Sequence, residues 1–154
     1  VLSPRGQSAR RLKVLITLDA ALAKYPGAET FRFGDDPDLN AEILALVRAG
    51  KKTMTCSAWD AFAEGGEALP ETGRVDIALD WKGTPALALR TVKVEKLRFC
   101  DMDAVRIPPQ GEFADLADWR RGYESELRRV GLFSPEMPLM VETIELVEDF
   151  GERT

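Results

Sequence analysis

Apolar positions along this chain switch between a period near 3.6 and a period of two, which predicts a mixture of helices and strands. Leu12, Leu15, Ile16, Leu22 and Ala23 recur at helical spacing and predict a helix over 8–25, ended by Pro26-Gly27. Residues 29–33 predict a short strand that stops at Gly34. Leu39, Ile43, Leu46 and Val47 make a second helical stripe over 37–49. Asp36 can cap that helix, Pro37 suits its first turn, and Gly50 stands where a helix commonly ends in a left-handed residue. Trp59 to Ala63 reads as a helical turn before Gly65-Gly66, and 69–73 as a loop.

Further on, Val75, Ile77, Leu79 and Trp81 alternate with Asp76, Ala78 and Asp80, the pattern of a half-buried strand. Lys82-Gly83-Thr84 is a hairpin turn, and 86–95 return as a strand, apolar on both faces at first and therefore central. Residues 101–105 predict a helical turn and 107–111 a loop. Asp115 can cap a helix whose buried stripe is Leu116, Trp119, Tyr123, Leu127 and Val130, stopped by Gly131. Residues 139–148 form the last strand, and the tail 149–154 is expected to fray. Periodicity alone does not choose a topology for these elements.

At 154 residues, 45% hydrophobic and 31% charged, the chain suits one globular domain with its own core. No apolar run reaches the length of a membrane span, and the basic N-terminal stretch lacks the apolar core of a secretory signal. A cytoplasmic protein with no membrane contact is therefore expected, with Cys56 and Cys100 as reduced thiols. There is no histidine. A Ser-His-Asp triad, a Cys-His pair and a histidine metal site are excluded within one chain, and neither a metal nor a cofactor is expected. Acid–base chemistry falls to Lys, Asp, Glu, Tyr or Cys. The net charge of −5 argues against a grip on long RNA through phosphates, but leaves room for a local basic cleft or a phosphate-free nucleoside.

Chemistry concentrates in Gly50-Lys51-Lys52-Thr53-Met54-Thr55-Cys56-Ser57, where a helix end presents a lysine and hydroxyls. Lys52 and Thr55 are three apart and would face opposite sides of an ideal strand, so they share a cleft only if the chain turns between them. The plain alternative is a solvated lysine near a helix end and an ordinary strand threonine.

This stretch and its flanks resemble the ASCH family, related to PUA-like RNA-binding barrels, with the pattern Gly-x-Lys-x-x-Thr-x-Arg. Gly50, Lys52 and Thr55 match it, and Ser57 stands at the arginine. Phe33-Gly34-Asp35-Asp36-Pro37, Leu46-Val47-Arg48-Ala49-Gly50, Trp119-Arg120-Arg121 and Met137-Pro138-Leu139-Met140-Val141-Glu142 look like a longer bacterial branch of the same family. The resemblance covers residues 31–148. It implies an α+β fold: a PUA-like, mainly antiparallel β-barrel with surrounding helices, to which residues 1–30 add an N-terminal helical extension. It also implies that Lys52 and Thr55 lie in the barrel cleft, where the matching pair is proposed to hydrolyse the amide of acetylated cytidine nucleosides. Chemically, a desolvated lysine turned neutral can accept a proton from a threonine hydroxyl or a water. On this reading Lys52→Met is expected to abolish hydrolysis with little change in folding.

The family's amidohydrolases complete their site with a glutamate, and Arg90 aligns there. Glu142 can substitute if it reaches the cleft. Arg90 lies between Ala88 and Val92, and Glu142 between Met140 and Ile144, so each interrupts an apolar strand row. Both are therefore expected within reach of each other, directly or through water; the plain readings are a structural pair or two charges at exposed strand ends, and the functional one has Arg90 in the cleft binding a carbonyl or phosphate. The family's Gly-Glu-Gly-Asp run survives only as Gly111-Glu112, and Tyr123 replaces a histidine. Trp59, Trp81 and Tyr123 are candidates to stack on bases, with core packing as the alternative for the last two. Ser134 and Ser57 are further candidate ligand contacts, Ser134 otherwise serving its turn. Three functions are compatible with these residues: a hydrolase acting on a modified nucleoside or on RNA, a module that binds RNA or a nucleotide without turnover, and a fold that acts through protein contacts.

Overall fold

The computed structural model describes residues 15–65 and 68–151. Its frame is a five-stranded sheet of β1 (Thr30–Arg32), β2 (Met54–Ala58), β3 (Val75–Leu79), β4 (Pro85–Arg98) and β5 (Pro138–Asp149). The spatial order is β1-β3-β4-β5-β2. β1 runs parallel to β3, and the other neighbours are antiparallel. The sheet curls into a half-barrel with helices around it, the expected α+β architecture. β3 and β4 are adjacent, as the two strand patterns around Lys82-Gly83 predicted.

Among the described residues four helices pack on this sheet: α1 (Leu18–Lys24), α2 (Pro37–Arg48), α3 (Trp59–Gly65) and α4 (Leu116–Arg129). Asp36 and Asp115 cap α2 and α4, accepting from Leu39 N and Asp118 N at 2.8 Å each. These bonds satisfy amides that have no partner inside their helices. α2 lays Ile43, Leu44 and Val47 against Phe33, Leu87, Leu89 and Ile144. α4 buries Trp119 and Leu127 with Cys56, Phe99, Ile107, Leu139 and Val141. α1 packs Ala21 on the other face of the sheet, against Ile77, Ala88 and Phe150.

Some expected boundaries move. Thr17 accepts from Ala20 N at 3.1 Å, so α1 begins after residues predicted as helical; the first part of that prediction, 8–14, lies outside the described residues. β3 ends at Leu79 because the Asp80 carboxylate gathers Lys82 N and Thr84 N, each at 2.9 Å. Trp81 thus sits on the hairpin turn, 39% exposed, rather than on a strand. Val130 caps α4 at the surface instead of extending its buried stripe. Among the described residues no helix is long and apolar enough to cross a membrane.

Candidate functional site

α2 closes through Gly50, whose φ of 74° permits the left-handed exit, and Lys52 N returns to Leu46 O at 3.2 Å. This sharp exit carries Lys52 inward rather than out to solvent, so that it is only 2% exposed. Its ammonium donates to Met54 O at 2.8 Å, Gln110 O at 3.1 Å and Glu112 Oε2 at 2.7 Å. Three acceptors thus take all three protons, which satisfies a buried cation that would otherwise be costly. The 3-10 turn Pro108–Gln110 supplies one acceptor and residue 112 another.

The turn closes tightly over the lysine. Gly111 has φ 75°, and a Cβ there would lie 2.6 Å from Lys51 O. Thr53 N donates to Pro109 O at 2.8 Å. Gln110, fully buried, links the turn to α4: its Oε1 accepts from Trp119 Nε1 at 3.1 Å and its Nε2 donates to Arg106 O at 2.8 Å. Trp119 is stacked between Phe99 and Tyr123, with ring centroids 4.9 Å away on either side.

A cleft of about 770 Å³ opens beside this assembly, lined from one side by β1 and from the other by β2, the two edge strands of the sheet. Thr55 and Ser57, two apart on β2, both line it, as does Glu142, whose Cα pairs with that of Thr55 across β2 and β5. Glu112 also lines the cleft, whereas Lys52 does not: its ammonium reaches the site only through the Glu112 carboxylate. The chain does turn between Lys52 and Thr55, but it sends the lysine beneath the site and not into it.

Glu142 Oε2 accepts from Thr91 Oγ1 at 2.6 Å. Burial pushes the Glu142 carboxyl above the usual range; the Thr91 bond opposes this, the nearby Asp76 charge adds to it, and Arg74 opposes it. Asp76 itself is held by Arg74 at 2.8 and 3.0 Å and accepts from Glu29 N at 2.9 Å.

Arg90 is not beside Glu142. It is 43% exposed at its side chain, with Glu145 Oε1 at 3.7 Å. β4 has two different faces: Leu87 and Leu89 fill the interior, whereas Ala88 packs outward against the α1 side. Arg90 follows Ala88 outward, and Val92 beyond it is 46% exposed, so the supposed apolar row is an outer one. The inward place belongs to Thr91, 1% exposed. Trp59 also lies off the cleft, with Lys96 Nζ 4.7 Å from its ring centroid. Ser134 is an exposed turn residue that accepts from Glu136 N at 3.4 Å.

The aromatic lining comes from elsewhere: Phe31, Phe33, Phe62 and Phe113, together with Tyr123. Sequence reading missed the phenylalanines, Thr91, Asp76 and Gln110. The signal for Phe31 and Phe33 was their alternation in the predicted strand 29–33; Gln110 sits in a Pro-Pro-Gln-Gly turn that carries no periodicity.

Cys56 shares β2 with the site but turns its thiol into the core, where burial raises its pKa to about 11. Burial likewise holds the Tyr123 hydroxyl well above its ordinary value, and that hydroxyl donates to Cys56 O at 3.2 Å. Cys100 is exposed. Iodoacetamide at pH 8 is therefore expected to label Cys100 alone in the folded protein and both cysteines after denaturation, read by peptide mass; early labelling of Cys56 would contradict this packing.

A family model described as an ASCH domain matches residues 29–148. A crystal structure of an ASCH domain from Lactobacillus crispatus JV V101 is similar to this chain at 22% identity and TM-score 0.67, covering 85% of this chain and 86% of its own. A crystal structure of a protein from Enterococcus faecalis V583, assigned to the family model DUF984, is 28% identical with TM-score 0.73, covering 86% of each chain. No curated protein matches the sequence.

Proposed function

The chain belongs to the ASCH domain family, and we propose that its cleft holds a nucleoside-sized ligand without phosphates and hydrolyses an acyl amide on the base. Glu142 carries this reading: a desolvated carboxyl with a raised pKa lines the cleft next to Thr55. A carboxyl so placed, within reach of a hydroxyl and facing a cleft, is suited to take and return a proton. It takes a proton from water, or from the Thr55 hydroxyl, as the oxygen attacks the acyl carbon. The carbon–nitrogen bond then breaks, and the proton passes to the leaving amine; where Thr55 is the nucleophile, a water activated by Glu142 then cleaves the acyl-threonine ester and restores the hydroxyl. Lys52, whose protons are spent on three acceptors, positions Glu112 and the turn above it. Proton transfer therefore falls to Glu142 and not to the lysine. Ser57, on the same face as Thr55, is a hydrogen-bonding contact for the ligand.

The test is incubation with N4-acetylcytidine, other acylated nucleosides and a short single-stranded RNA, with products identified by mass spectrometry. Deacylated nucleoside is expected, and Glu142→Gln is expected to slow its formation about tenfold or more. Removing an ionisable group held in a desolvated place should at the same time raise Tm. Full activity in Glu142→Gln would refute the assigned role. A second reading is binding without turnover, as in a module of RNA metabolism; the full occupation of Lys52 favours it. It predicts saturable nucleoside binding and no product.

A further inference from the structure

We propose that this cleft prefers a positively charged nucleobase, such as that of 7-methylguanosine or 1-methyladenosine at pH 6, over the neutral parent. This rests on the nucleoside reading above and adds the charge of the ligand.

Aromatic side chains stand on separate elements around the cavity. Phe31 of β1 and Phe33 just past its end meet edge to face at 5.0 Å, and Phe113 meets Tyr123 of α4 at 5.5 Å. Ring faces attract cations and stack on bases, and a positively charged base uses both interactions at once.

The charge around these rings is predominantly negative. Among the described residues, seven carboxylates line the cleft against a single guanidinium, Arg32. That guanidinium is drawn away, with Arg32 Nε donating to Asp80 O at 3.3 Å and its Nη2 lying by Gly83 on the hairpin turn. Four of the carboxylates are met by cations: Glu112 by Lys52, Asp76 by Arg74, and both Glu126 and Asp35 by Arg129. Glu29, Glu42 and Glu142 have no cation within 4.0 Å among the described residues. A concave site with an excess of negative charge concentrates cations and disfavours phosphates.

The acids are spread around the rim and floor. Among the described residues, no three His, Cys, Asp or Glu side chains are grouped to hold a metal ion. Dispersed carboxylates among aromatic faces suit a delocalised organic cation better than a compact inorganic one.

Isothermal titration of the full chain at pH 6 with 7-methylguanosine, guanosine, 1-methyladenosine and adenosine tests this, with tetramethylammonium as a bare cation. Each methylated nucleoside is expected to bind at least tenfold more tightly than its parent. A Glu29→Gln/Glu42→Gln variant, altered only at exposed positions, is expected to narrow that gap by weakening the methylated nucleosides more than their parents, with the wild-type Tm retained. Equal affinity for charged and neutral forms would overturn the charge preference and leave the nucleoside reading standing. Tetramethylammonium binding as tightly as the methylated nucleosides, or no nucleoside binding at all, would overturn both.

Discussion

Replacing Lys52 by Met is expected to destabilise the fold by on the order of 3 kcal/mol, a loss of about 6–12 °C in Tm for a domain of this size. The motif alone predicts that this variant loses activity with little change in folding; the three bonds made by the ammonium predict a loss of stability instead. Methionine fills a similar volume but leaves Met54 O, Gln110 O and the Glu112 carboxylate without their donor. The uncompensated acceptors carry the cost rather than any lost packing. Removing the remaining charge should recover part of it, so Lys52→Met/Glu112→Gln is expected to be more stable than Lys52→Met alone. Urea denaturation of the wild type, both single variants and the double variant measures this coupling. A Lys52→Met midpoint equal to the wild type's would refute the structural role.

Gly111→Ala is expected to cost about 2–4 kcal/mol, whereas Gly50→Ala costs about 1 kcal/mol. The two glycines have nearly the same left-handed backbone, φ 75° and 74°. Their surroundings separate them. A Cβ at 50 meets nothing within 4 Å, so only the backbone strain is added. At 111 it meets Lys51 O at 2.6 Å, Lys51 C at 3.1 Å and Lys52 Cα at 3.3 Å, all backbone atoms that cannot swing aside. The turn must lift off the lysine it covers, which also stretches the Lys52–Gln110 and Lys52–Glu112 bonds. Parallel denaturation curves for the two variants test this, and equal midpoints would rule out the close approach.

Local structure was legible wherever neighbouring residues decide it. The caps at Asp36 and Asp115, the exit at Gly50 and the pairing of β3 with β4 all depend on groups within a few positions of one another, and the sequence determined them. The landmarks at Gly50, Lys52, Thr55 and Trp119 likewise indicated the family and its curled sheet. Side-chain direction on β4 was a different matter. An apolar row can face the barrel interior or the outer helix, and period two reads the same in both cases. Only the packing of α1 against Ala88 made that row the outer one, which put Arg90 at the surface and Thr91 beside Glu142. The environment of Lys52 was equally hidden, because Gln110 and Glu112 lie about sixty residues away and reach it through a 3-10 turn without periodic signal. The sequence by itself thus determined which elements form and which residues could react. The tertiary structure alone decided which of those residues share a cleft, since burial and pairing of charge depend on contacts between distant segments.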